Sequence, residues 1–166
     1  MHKALFSALI LLLLSIILIH EGNCQTLRWI GYGEELVLQH EDDRCGEWGG
    51  DVEKITIYRR DLEGPFVAKL ERTIKDCSDP YGMKNTPKKI VGVEVVLSTE
   101  EQELVHQCIE ELREMKMTLV SGNYPVVGHS GILNFAVLSD STLLIRDYPS
   151  KNWKSFEDLK RMLSKK

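Results

Sequence analysis

The chain has 166 residues, with 21 Lys and Arg against 25 Asp and Glu for a formal net charge of −4, and 43% of it is hydrophobic. That length suits one domain and excludes a large multidomain enzyme. The composition excludes a disordered chain, a collagen-like repeat and a disulfide-dense miniature scaffold, and a mildly acidic whole makes nucleic acid an unexpected partner.

Met1-His2-Lys3 supplies a short positive start, and Ala4 to Ile19 is an apolar run broken only by Ser7 and Ser15. The run is shorter than the ~20 residues a membrane-spanning helix needs, so it reads as an export signal over residues 1–24. Gly22 and Cys24 are small enough for the positions a signal peptidase reads, which leaves Gln25 as the new first residue of a single domain over 25–166. A lipoprotein anchored through Cys24 is disfavoured, because Glu21 and Asn23 stand where a lipidation motif wants a Leu-like and a small residue. No later stretch is long and apolar enough to span a bilayer, and a secreted or periplasmic location is expected. Charge is unevenly placed. Glu34 to Glu53 holds eight acids against Arg44, whereas Lys151 to Lys166 holds six bases against Glu157 and Asp158.

The first predicted strand, Glu35 to His40, follows the Gly31-Tyr32-Gly33 turn, and Val52 to Arg59 alternates Ile55 and Ile57 against Lys54 and Thr56. After the Gly64-Pro65 turn, Phe66 to Ile74 resumes the period of two, with Phe66, Ala68 and Leu70 on one face. Asp76 to Lys89 reads as a loop. Ile90 to Leu97 is the clearest strand, with Val91, Val93, Val95 and Leu97 expected on one face and Gly92 and Glu94 on the other.

Ser98 and Glu101 then have capping-box spacing, and Leu104, Cys108, Leu112 and Met115, flanked by Val105 and Ile109, give the apolar side of a long helix. Ser121 to Pro125 breaks it. Ile132 to Leu138 and Thr142 to Arg146 form a predicted hairpin around Ser139-Asp140-Ser141, and a last helix runs from about Ser155 to Leu163. The order ββββαββα, with short turns between successive strands, predicts an α+β domain: a mostly antiparallel sheet of about six strands with two helices packed on one face. A doubly wound nucleotide-binding fold needs alternating strands and helices, which this order lacks.

After signal removal Cys45, Cys77 and Cys108 remain. Cys108 lies on the apolar side of the long helix, where a free thiol behaves as a small hydrophobe, so Cys45 and Cys77 are the expected disulfide in an oxidising compartment. Cys45 lies in the densest polar stretch of the chain, His40 to Asp51, which combines Glu41, Asp42, Asp43, Glu47 and Asp51 with Trp48 and paired glycines. Acids around a single aromatic suit a recognition loop for a protein partner with a basic surface. The acid spacing is not that of an EF-hand, and no Cys-x-x-Cys or His-x-x-x-His pair starts a zinc site, so neither metal nor cofactor is expected.

Gly128-His129-Ser130-Gly131 shares the first three positions of the Gly-x-Ser-x-Gly elbow of lipases and esterases, but Ile132 replaces the last Gly and the segment leads into a strand. The expected function is therefore a small exported, non-enzymatic binding module of inhibitor or immunity type. The alternative is a small secreted or periplasmic hydrolase whose site gathers His40, Cys45, Glu47 and His129.

Overall fold

The computed structural model describes residues 27–79, 86–120 and 131–166. The expected signal segment, including Cys24, and the turn holding His129 lie outside the described residues. Six strands form one antiparallel sheet: β1 (Glu35–Glu41), β2 (Val52–Arg59), β3 (Phe66–Ile74), β4 (Lys88–Val96), β5 (Ile132–Leu138) and β6 (Leu144–Ser150). Helix α1 (Thr99–Val120) lies between β4 and β5, α2 (Lys154–Leu163) follows β6, and a single 3-10 turn, Gly46–Trp48, joins β1 to β2. The order ββββαββα and the α+β class are those expected from the sequence.

The spatial order is β4-β3-β2-β1-β5-β6, so β1 is central although it comes first. Strands β1 to β4 walk outward as an antiparallel meander, each pairing with the next. The long α1 then carries the chain back across the sheet, and β5 pairs with the free side of β1. Leu36 and Leu38 on β1, Ile55 and Ile57 on β2, Ala68 on β3 and Ala136 on β5 point to the face that α1 and α2 cover. There they meet Val105, Cys108, Leu112, Trp153, Phe156 and Leu159 in one continuous buried cluster. Burial of these apolar side chains is the main stabilising term of the fold.

The helices are held by polar groups as well as by packing. Ser98 N–H donates to Glu101 Oε2 at 2.7 Å and Glu101 N–H to Ser98 Oγ at 3.3 Å, the reciprocal pair predicted for the start of α1. Helix α2 begins at Trp153 without a local side-chain cap. Its first N–H groups are instead satisfied by Glu111 of α1, which accepts from Lys154 at 3.0 Å and from Ser155 at 2.8 Å. The Trp153 indole N–H donates to the Cys108 carbonyl at 2.9 Å. Among the described residues no helix is long and apolar enough to cross a membrane.

Two segments depart from the sequence reading. The expected alternation of β4 is broken by a bulge opposite Lys69 to Glu71: Val91 pairs with Glu71 while Glu94 pairs with Lys69, so Gly92 and Val93 of β4 together oppose Leu70 of β3. Val91 and Glu94 therefore share a face, and Val93, expected with the core, is 73% exposed. Strand β6 starts at Leu144 because Asp140 Oδ1 accepts from the backbone N–H and hydroxyl of Thr142 at 2.9 and 2.8 Å, which draws Thr142 into the turn. It runs past Pro149 to Ser150, since an edge strand tolerates a residue without an N–H.

Candidate functional site

The loop between β1 and β2 is built around two of its own carboxylates. Cys45 is bonded to Cys77, with Cα atoms 5.1 Å apart, which ties the loop to the end of β3. Asp42 Oδ1 accepts from the backbone N–H of Asp51 at 2.9 Å and of Arg44 at 3.3 Å. Buried Asp51 accepts through Oδ1 from Arg44 Nε at 2.9 Å and from Lys75 N–H at 2.9 Å, and through Oδ2 from Arg72 at 2.9 Å. Burial pushes its carboxyl up, but the Lys75 N–H and the two guanidinium groups outweigh burial and hold it below the usual carboxylate range. Lys75 also donates to the Trp48 carbonyl.

Glycines let this loop close. Gly46 and Gly49 have φ of 63° and 71°, the left-handed region that other residues enter at a cost. Gly50 is constrained by space: a Cβ there would lie 1.5 Å from Asp42 Oδ1 and 2.7 Å from the Asp42 carbonyl oxygen. Of the six residues expected to bind a partner, Asp42 and Asp51 are thus turned inward as acceptors, and Glu41 is half-buried at the end of β1. Asp43, Glu47 and Trp48 are exposed, the last at 40%. Arg44 and Lys75 are engaged by Asp51 and the Trp48 carbonyl, although the Arg44 side chain stays 41% exposed, so the loop shows to solvent an indole, two carboxylates and one ion-paired guanidinium.

Beside this loop lies an arrangement that the sequence reading missed. Registered across the helix-covered face, in the row just past the apolar ones, are Arg72, Glu53, His40, Asn134 and Asp147 on five successive strands. Asn134 is fully buried, and it donates to Ser150 Oγ at 2.8 Å and to the Lys151 carbonyl at 2.9 Å. Its Oδ1 is therefore the acceptor for His40 Nδ1, 2.6 Å away, which assigns the proton of this imidazole to Nδ1. Ser150 in turn donates to Asp147 Oδ2 at 2.5 Å. Four side chains thus form a directed chain, His40 to Asn134 to Ser150 to Asp147.

Helix α2 closes the row from above. The Phe156 ring lies 5.9 Å from that of His40, and Lys160, one helical turn on, reaches Glu53 Oε2 at 2.5 Å. A sequence signal for the row exists: each of its residues lies two positions from an inward-facing apolar residue, His40 after Leu38, Arg72 after Leu70 and Asp147 after Ile145, Glu53 before Ile55 and Asn134 before Ala136.

Of the hydrolase constellation, His40, Cys45 and Glu47 fall among the described residues. Both loop thiols are consumed in the bridge, His40 is engaged with Asn134 through Nδ1, and His129 lies outside the described residues. Cys108 is buried beneath α2, and burial pushes its thiol up to about 12, so it stays protonated. Among the described residues no three of His, Cys, Asp and Glu are grouped to hold a metal ion. Comparison with known protein families, with curated proteins and with solved structures finds no match.

Proposed function

We propose that the chain is a non-enzymatic binding module, of inhibitor or immunity type, that works in an oxidising compartment outside the cytoplasm. Its contact is the tip of the β1–β2 loop, with Trp48 as the anchor and Asp43 and Glu47 as the charges that meet a basic protein surface. The observation that carries this reading is the set of bonds that tie the loop down around an exposed indole. A disulfide, two internally satisfied carboxylates and the Lys75 contact hold it in one conformation, so little ordering entropy remains to be lost when a partner docks. Aromatic anchors flanked by charge are the usual centres of binding energy, and the unpaired acids would steer encounter with a cationic partner.

A photo-cross-linker placed at Glu47 in the producing cells tests this. Position 62, an exposed leucine in the β2–β3 turn, serves as control. A single cross-linked protein at position 47, absent at position 62, lost in Trp48→Ala and weakened by added salt, is the expected result. Equal labelling from both positions, or labelling indifferent to Trp48→Ala, overturns the reading.

A further inference from the structure

The two helices cover one face of the sheet, and the other face is divided in two. Toward β4 it is charged and neutralises itself, with Lys54, Lys69 and Lys89 gathered around Glu71. Toward β6 it is apolar. Val37 of β1, Leu133, Phe135 and Val137 of β5, and Leu144 and Tyr148 of β6 alternate with the inward-facing residues of their strands, so all six stand on this open side. Leu144 is 66% exposed and Tyr148 39%, and the other four are half-buried. Contiguous apolar zones of this kind mark interaction surfaces.

Two charges flank the zone on opposite sides, Arg146 on β6 and Glu41 on β1. Among the described residues neither has an ion-pair partner within its own chain. In register, Gln39, Phe135 and Arg146 form one row across the three strands, and Glu41 stands beside Leu133 in the next. A face with an uncompensated cation on one flank, an uncompensated acid on the other and an apolar strand between them is complementary to itself.

We infer that this face pairs with the same face of a second copy of the chain, sheet on sheet, about a two-fold axis running along β5. Such an axis lays β5 on β5 and β6 of each copy over β1 of the other. The overlap is then the three apolar strands, and the charged half of each sheet stays outside it. Arg146 comes to lie over Gln39 of the second copy, within reach of Glu41 in the adjacent row, and the contact occurs twice by symmetry. A two-fold running across the strands through that row would set Arg146 against Arg146, which is why the axis along β5 is favoured. Because this axis preserves strand direction, both β1–β2 loops leave the pair at one end. If those loops bind as proposed above, the pair presents two contacts side by side; the pairing itself does not rest on that reading.

The test is analytical ultracentrifugation of the disulfide-intact protein over a wide concentration range. Three strands of seven residues make a small contact, so a dimer is expected with a Kd of about tens of micromolar. Leu144→Lys, at an exposed position, should weaken it at least tenfold. Arg146→Glu and Glu41→Arg should each do the same, and the two together should restore pairing, with thermal melts confirming that every variant is folded. Trp48→Ala should leave the dimer unchanged, which separates this inference from the role of the loop. A chain that stays monomeric at every concentration overturns the inference, whether or not phosphatidylglycerol vesicles take it up. So does a dimer indifferent to Leu144→Lys, a dimer lost in Trp48→Ala, or a double reversal that pairs no better than the single ones.

Discussion

Glu111, midway along α1, caps α2 by accepting from the backbone N–H of Ser155 at 2.8 Å, across 44 positions of sequence. With the Lys154 N–H on its other oxygen, one carboxylate satisfies two of the donors that a helix start leaves open, and its charge sits at the positive end of the helix. Glu111→Ala should cost about 1–2 kcal/mol in urea unfolding. Glu111→Gln, which keeps one acceptor oxygen, should cost less. Equal losses would mean that the side chain acts by packing rather than as a cap.

The β1–β2 loop separates two ways in which a glycine can be required. A methyl group at Gly50 collides with both the side chain and the backbone of Asp42, and the backbone cannot move without breaking the Asp42 contact to Asp51. At Gly46 the same methyl group meets open space and only the positive φ resists it. Gly50→Ala should therefore destabilise by about 2 kcal/mol or more, and Gly46→Ala by roughly 1 kcal/mol. Thermal melts of the two variants, with the disulfide confirmed intact, would expose a wrong ranking directly.

Asn134 has three neighbours at once and is fully buried, so its removal leaves buried His40 Nδ1 without its acceptor and takes a donor from the Lys151 carbonyl and from Ser150, which keeps Asp147. Asn134→Ala should cost about 2–4 kcal/mol, because each buried polar group left without a partner carries a desolvation penalty. A loss below about 1 kcal/mol in denaturant unfolding would show that water replaces the amide and that the row is not a structural element.

Acid should weaken the fold through Glu71. This carboxylate lies on the face away from the helices, 2.6 Å from Lys54 and 3.2 Å from Lys89. Lys54 above all, with Lys89 and against the opposing effect of burial, lowers its pKa from 4.5 to about 2. Because the folded value is the lower one, the stabilisation is fully present above about pH 5 and is lost as the pH falls toward 2. Glu71→Gln should flatten that part of the stability profile and be least costly at low pH. An unchanged acid limb in the variant would assign the acid sensitivity to other carboxylates, of which Asp51 is the first to try.

The class and order of the elements, the Ser98–Glu101 capping box and the Cys45–Cys77 bridge were legible in the sequence. These rest on hydrophobic period, on hydrogen bonds between near neighbours and on the scarcity of other thiols, all of which are properties of a single stretch of chain. Strand pairing was not legible at the same depth. A period of two says which residues share a face but not which residue on another strand stands beside them, so His40 and Asn134 came together only once β5 was seen to pair with β1. The bulge in β4 follows from its fit against β3, where Gly92 approaches the Leu70 carbonyl so closely that a Cβ would lie 3.0 Å from it. The loop acids divide for the same reason. Asp42, Asp43, Glu47 and Asp51 are chemically alike in the sequence; Asp42 is turned inward by backbone N–H groups of its own loop, and Asp51 by Arg72 and Lys75, brought up by β3. The sequence by itself determined the elements and, outside β4, their apolar faces, because those depend on neighbours along the chain. The tertiary structure decided the buried polar row, the inward turn of Asp51 and the exposed edge of β4, because each depends on which strand lies next to which.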